Sequence, residues 1–439
     1  MRNKEVISML KNSAFTTIER LKNLLISSLF MERNRVTSKD FTRKRKLPFV
    51  SLVCFMLTGI KKSIQKGLTD FIQEYTDHKN MTKSAFCQQR VKLKPEAFVE
   101  LNEELIDDVY QDNAFVTHHG KRVLCIDGST LELPRSQETI NTFGVNTQEN
   151  MIPMARISTL YDPLNNFIID GRIEANTCSE YALAVMLLDK IRAQDLLVLD
   201  RGYGARWLFY LIQKKKADYV VRLQHNFGTD IDSFWNSEEK ERIIEFKELP
   251  RKSRRKIQEL GLKFVPFTCR LVKIVLDTGE TEVLATSLLD SEKFNLAFLK
   301  EIYELRWGIE VNYDHLKNHI ELGNFTGYSV QSIKQDFFAN IFLANIQAIF
   351  VRDAQAEMTE KKENKHLKYE YKINKNLSLG FLKERVVEIL LNNKQEYFAE
   401  LKELFQIEPV PIRKGRKFLR NKHKHRNKRK FYMNQRKAT

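Results

Sequence analysis

Apolar side chains recur at helical spacing along residues 49–60 and 68–75, and this pattern predicts that residues 1–115 form helices. Farther along, Thr82 or Ser84 is suited to cap a short helix, and Pro95 fits the first turn of the next helix. Two helices joined in this way are typical of a helix–turn–helix that reads DNA, and a plain helical bundle explains the pattern nearly as well. For a DNA reader, these polar residues are expected to face outward: Lys83, Gln88, Gln89, Arg90 and Lys92.

After this region the pattern changes to short apolar runs that predict strands. Residues 123–126 form one run, and residues 156–161 and 167–173 read as two strands joined by a turn. An amphipathic helix is predicted over residues 179–193. The run LLVLD at residues 196–200 is typical of a strand buried on both faces. These elements together predict a mixed α/β sheet.

Two aspartates follow predicted strands at equivalent points. Asp127 comes just after the first buried strand, and Asp200 ends the run LLVLD. Open α/β sheets place their sites at the carboxyl ends of strands, so the two carboxylates are candidates for one site. The plainer interpretation is that each aspartate begins a turn, where Asp is common.

Residues 303–322 are predicted to form one amphipathic helix with two different faces. Its apolar face consists of Leu305, Ile309, Leu316 and Ile320. At about 100° per residue, Tyr303, Glu310 and Lys317 lie near one line on the adjacent face, with Arg306 beside Glu310. An acid, two cations and a phenol are thereby placed in a row.

Asp127, Asp200 and Glu310 form a set of hard oxygen ligands that suits Mg²⁺ or Mn²⁺ rather than Zn²⁺. Carboxylates around a pair of metal ions, beside Arg and Lys side chains for phosphate oxygens, are the parts needed for in-line phosphoryl transfer. The three acids and the row around Glu310 therefore favour an enzyme that acts on phosphodiesters.

The charge of the chain favours a polyanionic partner. The net charge is +17, and the last 29 residues contain thirteen Lys or Arg and no Asp or Glu. Such a run repels itself, so we expect a disordered tail that binds phosphate backbone without sequence specificity, in preference to a merely solubilising tail. Five scattered cysteines without a CxxC pair, and the absence of a long apolar run, lead us to expect a soluble intracellular protein.

Three stretches together resemble the bacterial DDE transposases of the insertion-sequence 4 family. They are IDGSTLELP around Asp127, LVLDRGYGARWL around Asp200, and YELRWGIEVNYDHLK. The last stretch fits the Y-x2-R-x3-E-x6-K signature of that family at each of its four positions: Tyr303, Arg306, Glu310 and Lys317. The resemblance covers roughly residues 120–330.

The resemblance implies an α/β fold, with a ribonuclease H-like core interrupted before its last catalytic helix by a mostly β insertion. The sequence leaves room for this insertion, because a stretch between Asp200 and Glu310 reads as a hairpin turning at residues 277–279. It implies that Asp127, Asp200 and Glu310 hold two Mg²⁺ ions, for which Mn²⁺ would substitute. It also implies that Tyr303, Arg306 and Lys317 contact phosphate near the cleaved end. The expected partners are terminal inverted repeats, target DNA and a second copy of the chain.

The expected protein is therefore a transposase that cuts and joins DNA in the bacterial cytoplasm, at the nucleoid, by cut-and-paste through a hairpin intermediate. Five segments are expected along the chain. They are a helical DNA-binding domain (1–115), the first part of the core (116–224), a β-rich insertion (225–290), the second part of the core with C-terminal helices (291–410), and the basic tail (411–439).

Two other functions remain open from the sequence. One is a transposase-derived DNA-binding protein without chemistry, against which the intact acidic trio argues. The other is a ribonuclease H-like nuclease that cuts without joining.

Several further residues have a preferred plain interpretation. His315 and His319 are expected to be polar residues near DNA rather than zinc ligands, because no glutamate stands between them in an HExxH pattern. Trp235 is expected to pack in the core rather than stack on an unpaired base. Gly202 is expected to permit the turn after Asp200.

Overall fold

The computed structural model describes residues 13–43, 45–58, 63–78, 80–111, 115–146, 151–275, 279–362, 368–392 and 394–413. The helices of the N-terminal part are α1 (Ser13–Ile26), α2 (Ser28–Asn34), α3 (Phe49–Leu57), α4 (Ile64–Tyr75), α5 (Lys83–Arg90) and α6 (Glu96–Gln111). The predicted helices at 49–60 and 68–75 are therefore confirmed where they are described. The hydroxyl of Thr82 accepts a hydrogen bond from the Ala85 amide, as expected for an N-cap.

The central part of the chain alternates strands and helices. Its strands are β1 (Val123–Glu132), β2 (Met154–Asp162), β3 (Phe167–Ala175), β4 (Leu196–Leu199), β5 (Asp218–Arg222), β6 (Glu241–Phe246), β7 (Phe267–Val275) and β8 (Thr281–Thr286). Its helices are α7 (Gln137–Phe143), α8 (Glu180–Leu187), α9 (Arg206–Lys214), α10 (Thr229–Trp235) and α11 (Arg251–Glu259). The predicted mixed α/β sheet is thus present.

The last part is mainly helical. It contains α12 (Leu296–Leu305), α13 (Trp307–Asp314), a π-helical segment (His315–His319), α14 (Val330–Lys362), β9 (Glu370–Lys372), α15 (Lys375–Asn392), α16 (Gln395–Gln406) and β10 (Val410–Ile412). Strands β9 and β10 form a small antiparallel ribbon of their own. No helix among the described residues combines the length and the apolarity needed to cross a membrane.

The eight strands β1–β8 form one mixed sheet, in the order β3-β2-β1-β4-β5-β8-β7-β6. Strands β1, β4 and β5 are parallel neighbours at its centre, and the other pairings are antiparallel. Each residue of β4 is fully buried, which explains its unbroken apolar sequence. The central parallel strands therefore provide a rigid base whose carboxyl ends meet at one edge.

Helix α14 packs on β3 and joins the N-terminal helices to the sheet. The side chain of Asn345 in its middle accepts a hydrogen bond from the Ile168 amide and donates to the carbonyl of Ile168 and the side chain of Asn102. A side-chain carbon added to Gly171 on β3 would overlap the terminal methyl group of Ile341 on α14, so glycine there lets the helix and the strand approach closely. One hydrophobic core runs through all these elements.

The prediction that Gln89 and Arg90 face outward is wrong. Both are buried, with only 6% and 5% of their surfaces exposed. Arg90 donates to Gln335 at 2.7 Å and to Asp336 at 2.6 Å, both on α14. Helix α5 therefore packs this part of its polar surface against α14, and these residues cannot read DNA.

The stretch 303–322 is not one uninterrupted α-helix. Helix α12 ends at Leu305. At Arg306 the backbone amide donates to the Tyr303 carbonyl three residues earlier, at 3.2 Å, and this tighter turn separates α12 from α13. The π-helical segment, which includes Lys317, then widens the helical turn. The angles computed for a regular helix therefore do not hold along the whole row, although the apolar face is buried at Ile309, Leu316 and Ile320 as predicted.

The predicted segment boundaries stay predictions. Residues 225–290 contain three strands and two helices, and β8 pairs directly with β5, so these strands extend the central sheet. Strands β7 and β8 are antiparallel, as expected for the predicted hairpin, while its turn residues 276–278 lie outside the described residues. Residues 414–439, most of the basic tail, also lie outside them.

Candidate active site

Strand pairing places Asp127 and Asp200 side by side. In the parallel ladder of β1 and β4, Cys125 is opposite Val198, and each aspartate lies two residues farther along its own strand direction. Asp200 follows β4 as predicted, but the prediction that Asp127 comes just after its strand is wrong, because β1 continues to Glu132. The two carboxylates nevertheless lie at the same end of the parallel ladder, because each follows its last paired residues.

Backbone and side-chain hydrogen bonds fix the segment around Asp127. Its carboxylate accepts a hydrogen bond from the Gly128 amide at 2.8 Å. Its main-chain carbonyl accepts from the hydroxyls of Ser158 on β2 and Tyr313 on α13, each at 2.8 Å. Three elements therefore hold this aspartate in place.

Asp200 caps a one-turn 3-10 helix, Arg201–Tyr203. Its Oδ1 atom accepts a hydrogen bond from the Gly202 amide at 2.6 Å. A side-chain carbon on Gly202 would lie 2.9 Å from the same Oδ1 atom. Glycine at this position thus does more than permit a turn, because it keeps space beside the carboxylate.

Glu310 lies on α13 and forms an ion pair with Arg306, 2.9 Å between Nη2 and Oε1. The pair is half-buried, with 17% of the arginine and 31% of the glutamate side chain exposed. The Arg306 guanidinium also lies over the Tyr303 ring, 5.8 Å from its centroid. The structure therefore brings together three of the four residues of the predicted row.

Lys317, in the π-helical segment that follows α13, contacts the strand of Asp127. Its ammonium donates to the Ser129 hydroxyl at 2.6 Å and to the Thr130 carbonyl at 3.0 Å, both on β1. Arg306 thus pairs with an acid on the same helix, whereas these contacts turn Lys317 toward β1.

The electrostatics of the site link all three carboxylates. Burial raises the pKa of Asp127 to about 6, with Asp200 and Glu310 adding to the rise while Gly128 and Arg306 oppose it. Burial by itself lowers the pKa of Arg306, but Tyr303, Glu310 and Asp200 outweigh it and raise the pKa overall. The site concentrates negative charge in a partly desolvated place, where a cation would be stabilised.

The donor chemistry fits a divalent cation, since the three acids are carboxylates of the kind that Mg²⁺ and Mn²⁺ prefer. Among the residues that the structure describes, however, no three Asp, Glu, His or Cys side chains are grouped closely enough to hold an ion as they stand. The ion pair between Arg306 and Glu310 occupies one of the oxygens that a metal would use.

Sequence reasoning missed two residues of the site. Tyr313 anchors Asp127 through its hydroxyl, and its signal was its place three residues after Glu310 in the signature stretch. Arg222 ends β5, the neighbour of β4, and pairs with Glu282 at 2.7 Å. Both Arg222 and Glu282 act on the pKa of Tyr303, which burial raises. A cation at the end of the third parallel strand was the available signal for Arg222.

Two further residues discussed in the sequence analysis, His315 and Trp235, lie in packed surroundings. His315 is buried and its Nε2 atom contacts the Gln347 side chain at 2.9 Å, so its predicted place near DNA is wrong. The ring of Trp235 is partly buried against the core and lies 4.7 Å from the ring of His225, which confirms the expected packing role.

Comparison with known proteins shows which proteins this chain is similar to. Residues 118–346 match the sequence family described as the transposase DDE domain. The chain is 22% identical, over 320 residues, to the transposase InsG for insertion sequence element IS4 of Escherichia coli strain K12, covering 69% of this chain and 68% of that protein. The cryo-EM structure of a piggyBac transposase synaptic complex with hairpin DNA aligns with 88% of this chain and 84% of its own, at 11% identity and a TM-score of 0.44.

Proposed function

The chain belongs to the transposase DDE domain family, and we propose that it is the transposase of an insertion sequence. In this proposal it binds the terminal inverted repeats of its element, cleaves DNA strands and joins the freed ends to target DNA. The observation that carries the proposal is that Asp127 and Asp200 lie on adjacent parallel strands and that Asp200, Glu310 and Arg306 all act on the pKa of Asp127.

We assign metal binding to the three carboxylates. Asp127 and Asp200 come from adjacent strands, and Glu310 faces them from α13, as its effect on the pKa of Asp127 indicates. Two Mg²⁺ ions bound by these groups would stabilise charge on the attacking and leaving oxygens of a phosphodiester. The hydrogen bonds from Ser158 and Tyr313 would hold Asp127 in position when the ions bind.

We assign phosphate binding to Tyr303, Arg306 and Lys317. Arg306 presents a planar, half-buried guanidinium suited to a two-pronged contact with phosphate. Lys317 presents a point charge beside β1, the strand of Asp127. Cationic groups held in fixed positions near the carboxylates would orient the DNA strand for in-line attack.

The wider assignments follow the family. They are a ribonuclease H-like core, a hairpin intermediate in a cut-and-paste reaction, a homodimer on paired element ends, and action at the nucleoid. The N-terminal helices and the basic tail would add DNA contacts, of which the buried Arg90 is not one.

A strand-transfer assay with a pre-cleaved element end and Mg²⁺ tests the function. We expect the protein to join the end to target DNA. Products that are only nicked would support the cutting nuclease instead, and binding without products would support a DNA-binding protein without chemistry.

The assigned acids are tested by Asp127→Asn, Asp200→Asn and Glu310→Gln. Each should abolish cleavage while end binding persists, because an amide ligates Mg²⁺ poorly. Asp189→Asn is the matched control, since Asp189 is exposed and pairs with Lys215 away from the site. Near-normal cleavage by any of the three variants would remove that residue from the site.

A further inference from the structure

A cavity of about 620 Å³ lies behind the catalytic helix. It opens to solvent on one side and is lined by α13 and the π-helical segment, by α14, by the turn between β2 and β3, and by the β9–β10 ribbon. None of the six residues assigned to catalysis and phosphate binding lines it, so it is separate from the active site. Its volume is typical of pockets that hold small organic molecules.

Most of the cavity wall is apolar, and the charged side chains in it are all cationic. Lys375, Lys372 and Arg352 contribute cationic side chains. No Asp or Glu is among the described residues that line it. Burial, and then the like charge of Lys372, lower the pKa of Lys375 to about 8. An anion in the cavity would relieve this accumulation of positive charge.

Two buried side chains offer unused hydrogen-bonding atoms among the lining residues. Asn312 is 7% exposed and His315 is 8% exposed. The Nδ2 atom of Asn312 and the Nδ1 atom of His315 are buried without a hydrogen-bond partner. Buried polar atoms are normally paired, so these two atoms point to a ligand that supplies partners.

The network around Gln347 determines what His315 can accept. The Gln347 amide nitrogen donates to the Lys375 carbonyl at 2.6 Å and to the Ser378 hydroxyl at 2.8 Å. Its amide oxygen must therefore accept the hydrogen on Nε2 of His315. Burial lowers the pKa of His315 to about 4, so the ring is neutral near pH 7 and its Nδ1 atom is an acceptor.

We propose that this cavity binds a small amphipathic anion with an apolar body, one anionic group and one hydroxyl or N–H donor. The anionic group would meet Lys375 and the Asn312 amide, and the donor would meet Nδ1 of His315. The ligand would also pack against Val311 on the helix that carries Glu310.

The probe for this proposal is anilinonaphthalene sulfonate, which has an apolar two-ring body, a sulfonate and one N–H group. Fluorescence titration of the full chain should show saturable binding at one site, accompanied by a higher melting temperature. N-phenylnaphthylamine, which lacks the sulfonate, should bind about tenfold more weakly.

Variants locate the site. Lys375→Gln should weaken binding of the sulfonate about tenfold. Lys214→Gln, at an exposed lysine on α9, should not change it. Ala348→Trp should fill the cavity and abolish binding. Val311→Trp blocks the cavity from another helix at a half-exposed position, and serves if the first variant does not fold.

Binding that does not saturate, or that persists in folded Ala348→Trp or Val311→Trp protein, would overturn the proposal. Equal affinities for the sulfonate and the neutral amine would also overturn it, because the cationic side chains would then have no role.

Discussion

Arg306 and Glu310 form an ion pair of 2.9 Å within one turn of α13. The same turn therefore carries a proposed metal ligand and a cation that competes with metal for it. Because Arg306 also acts to lower the pKa of Asp127 and interacts with the charge of Asp200, its charge acts on all three carboxylates. The removal of this charge should separate metal binding from catalysis.

Arg306→Ala should bind Mn²⁺ more tightly than the wild type and cleave DNA at least roughly tenfold more slowly. Loss of a nearby cation favours any second cation, whereas the phosphate contact is lost. Arg306→Lys should restore little cleavage, because a point charge does not reproduce the planar contact. Calorimetric Mn²⁺ titration and a cleavage assay test this. Weaker Mn²⁺ binding would show that Arg306 serves to position Glu310.

Lys317→Met should reduce cleavage by roughly a hundredfold and leave the melting temperature nearly unchanged. Ser129→Ala removes one hydrogen-bond acceptor of Lys317, worth about 1 kcal/mol, and should leave cleavage nearly intact if the lysine acts on phosphate. Lys214→Met is the control for loss of an exposed charge. Equal losses of cleavage in Lys317→Met and Ser129→Ala would indicate that Lys317 only braces β1.

Gly202→Ala should lower cleavage strongly while the fold remains, because the added carbon would lie 2.9 Å from Oδ1 of Asp200 and displace that carboxylate. Gly380→Ala in α15 is the matched control, since no atom lies within 4 Å of the added carbon. The control should be neutral or stabilise the protein by up to about 1 kcal/mol. Full activity of Gly202→Ala would mean that the position of Asp200 is not critical.

The folded protein should lose stability through His315 as the pH falls. The folded pKa of about 4 lies below the ordinary value of about 6.5, because burial, Lys375 and His319 outweigh Gln347 and Asp314. The free energy of unfolding is therefore not reduced by His315 above pH 6.5, and it falls by about 2–3 kcal/mol as the pH is lowered to 4, because the unfolded chain binds a proton that the folded protein does not. Denaturant unfolding across this range should show a weaker pH dependence in His315→Gln.

His78→Gln is the control for this measurement, since His78 is exposed. An identical pH dependence in the wild type and in His315→Gln would contradict the buried neutral state of His315.

Removal of residues 414–439, which contain twelve of the thirteen tail cations, should weaken binding to element ends and to unrelated DNA by similar factors. Each phosphate contact contributes about 0.9 to the slope of log affinity against log salt, so the salt dependence should become less steep. Affinity measurements at several salt concentrations test this. A loss confined to the element ends would mean that the tail reads sequence.

Local patterns were sufficient to predict the central strands and the position of Asp200 after β4, but they did not show that β1 continues past Asp127 to Glu132. The run LLVLD has no polar residue before Asp200. Such an unbroken apolar run is typical of a strand that is buried on both faces, as β4 is. The register that places Asp127 beside Asp200 then follows from parallel pairing. These features depend on the spacing of apolar residues and on the order of strands and helices, and both can be predicted from nearby residues of the sequence.

Features that depend on distant partners were not predictable in this way. Arg90 looks like a surface cation until Asp336 on α14 is placed beside it. The break at Arg306 and the π-helical segment arise where the helix packs between β1 and α14, and its residues give no local signal of either. The cavity also joins segments that are far apart in the chain, so no periodicity marks it.

The dependence of Arg90 on α14 has a consequence during protein synthesis. The ribosome releases Arg90, Asp127 and Asp200 long before Asp336, which is 246 positions after Arg90. Until more than two thirds of the chain has been made, the growing polypeptide lacks Glu310, and its helix α5 has no α14 to pack against. Prematurely ended chains of this length would be unable to cut DNA and would expose apolar surface that chaperones and proteases recognise.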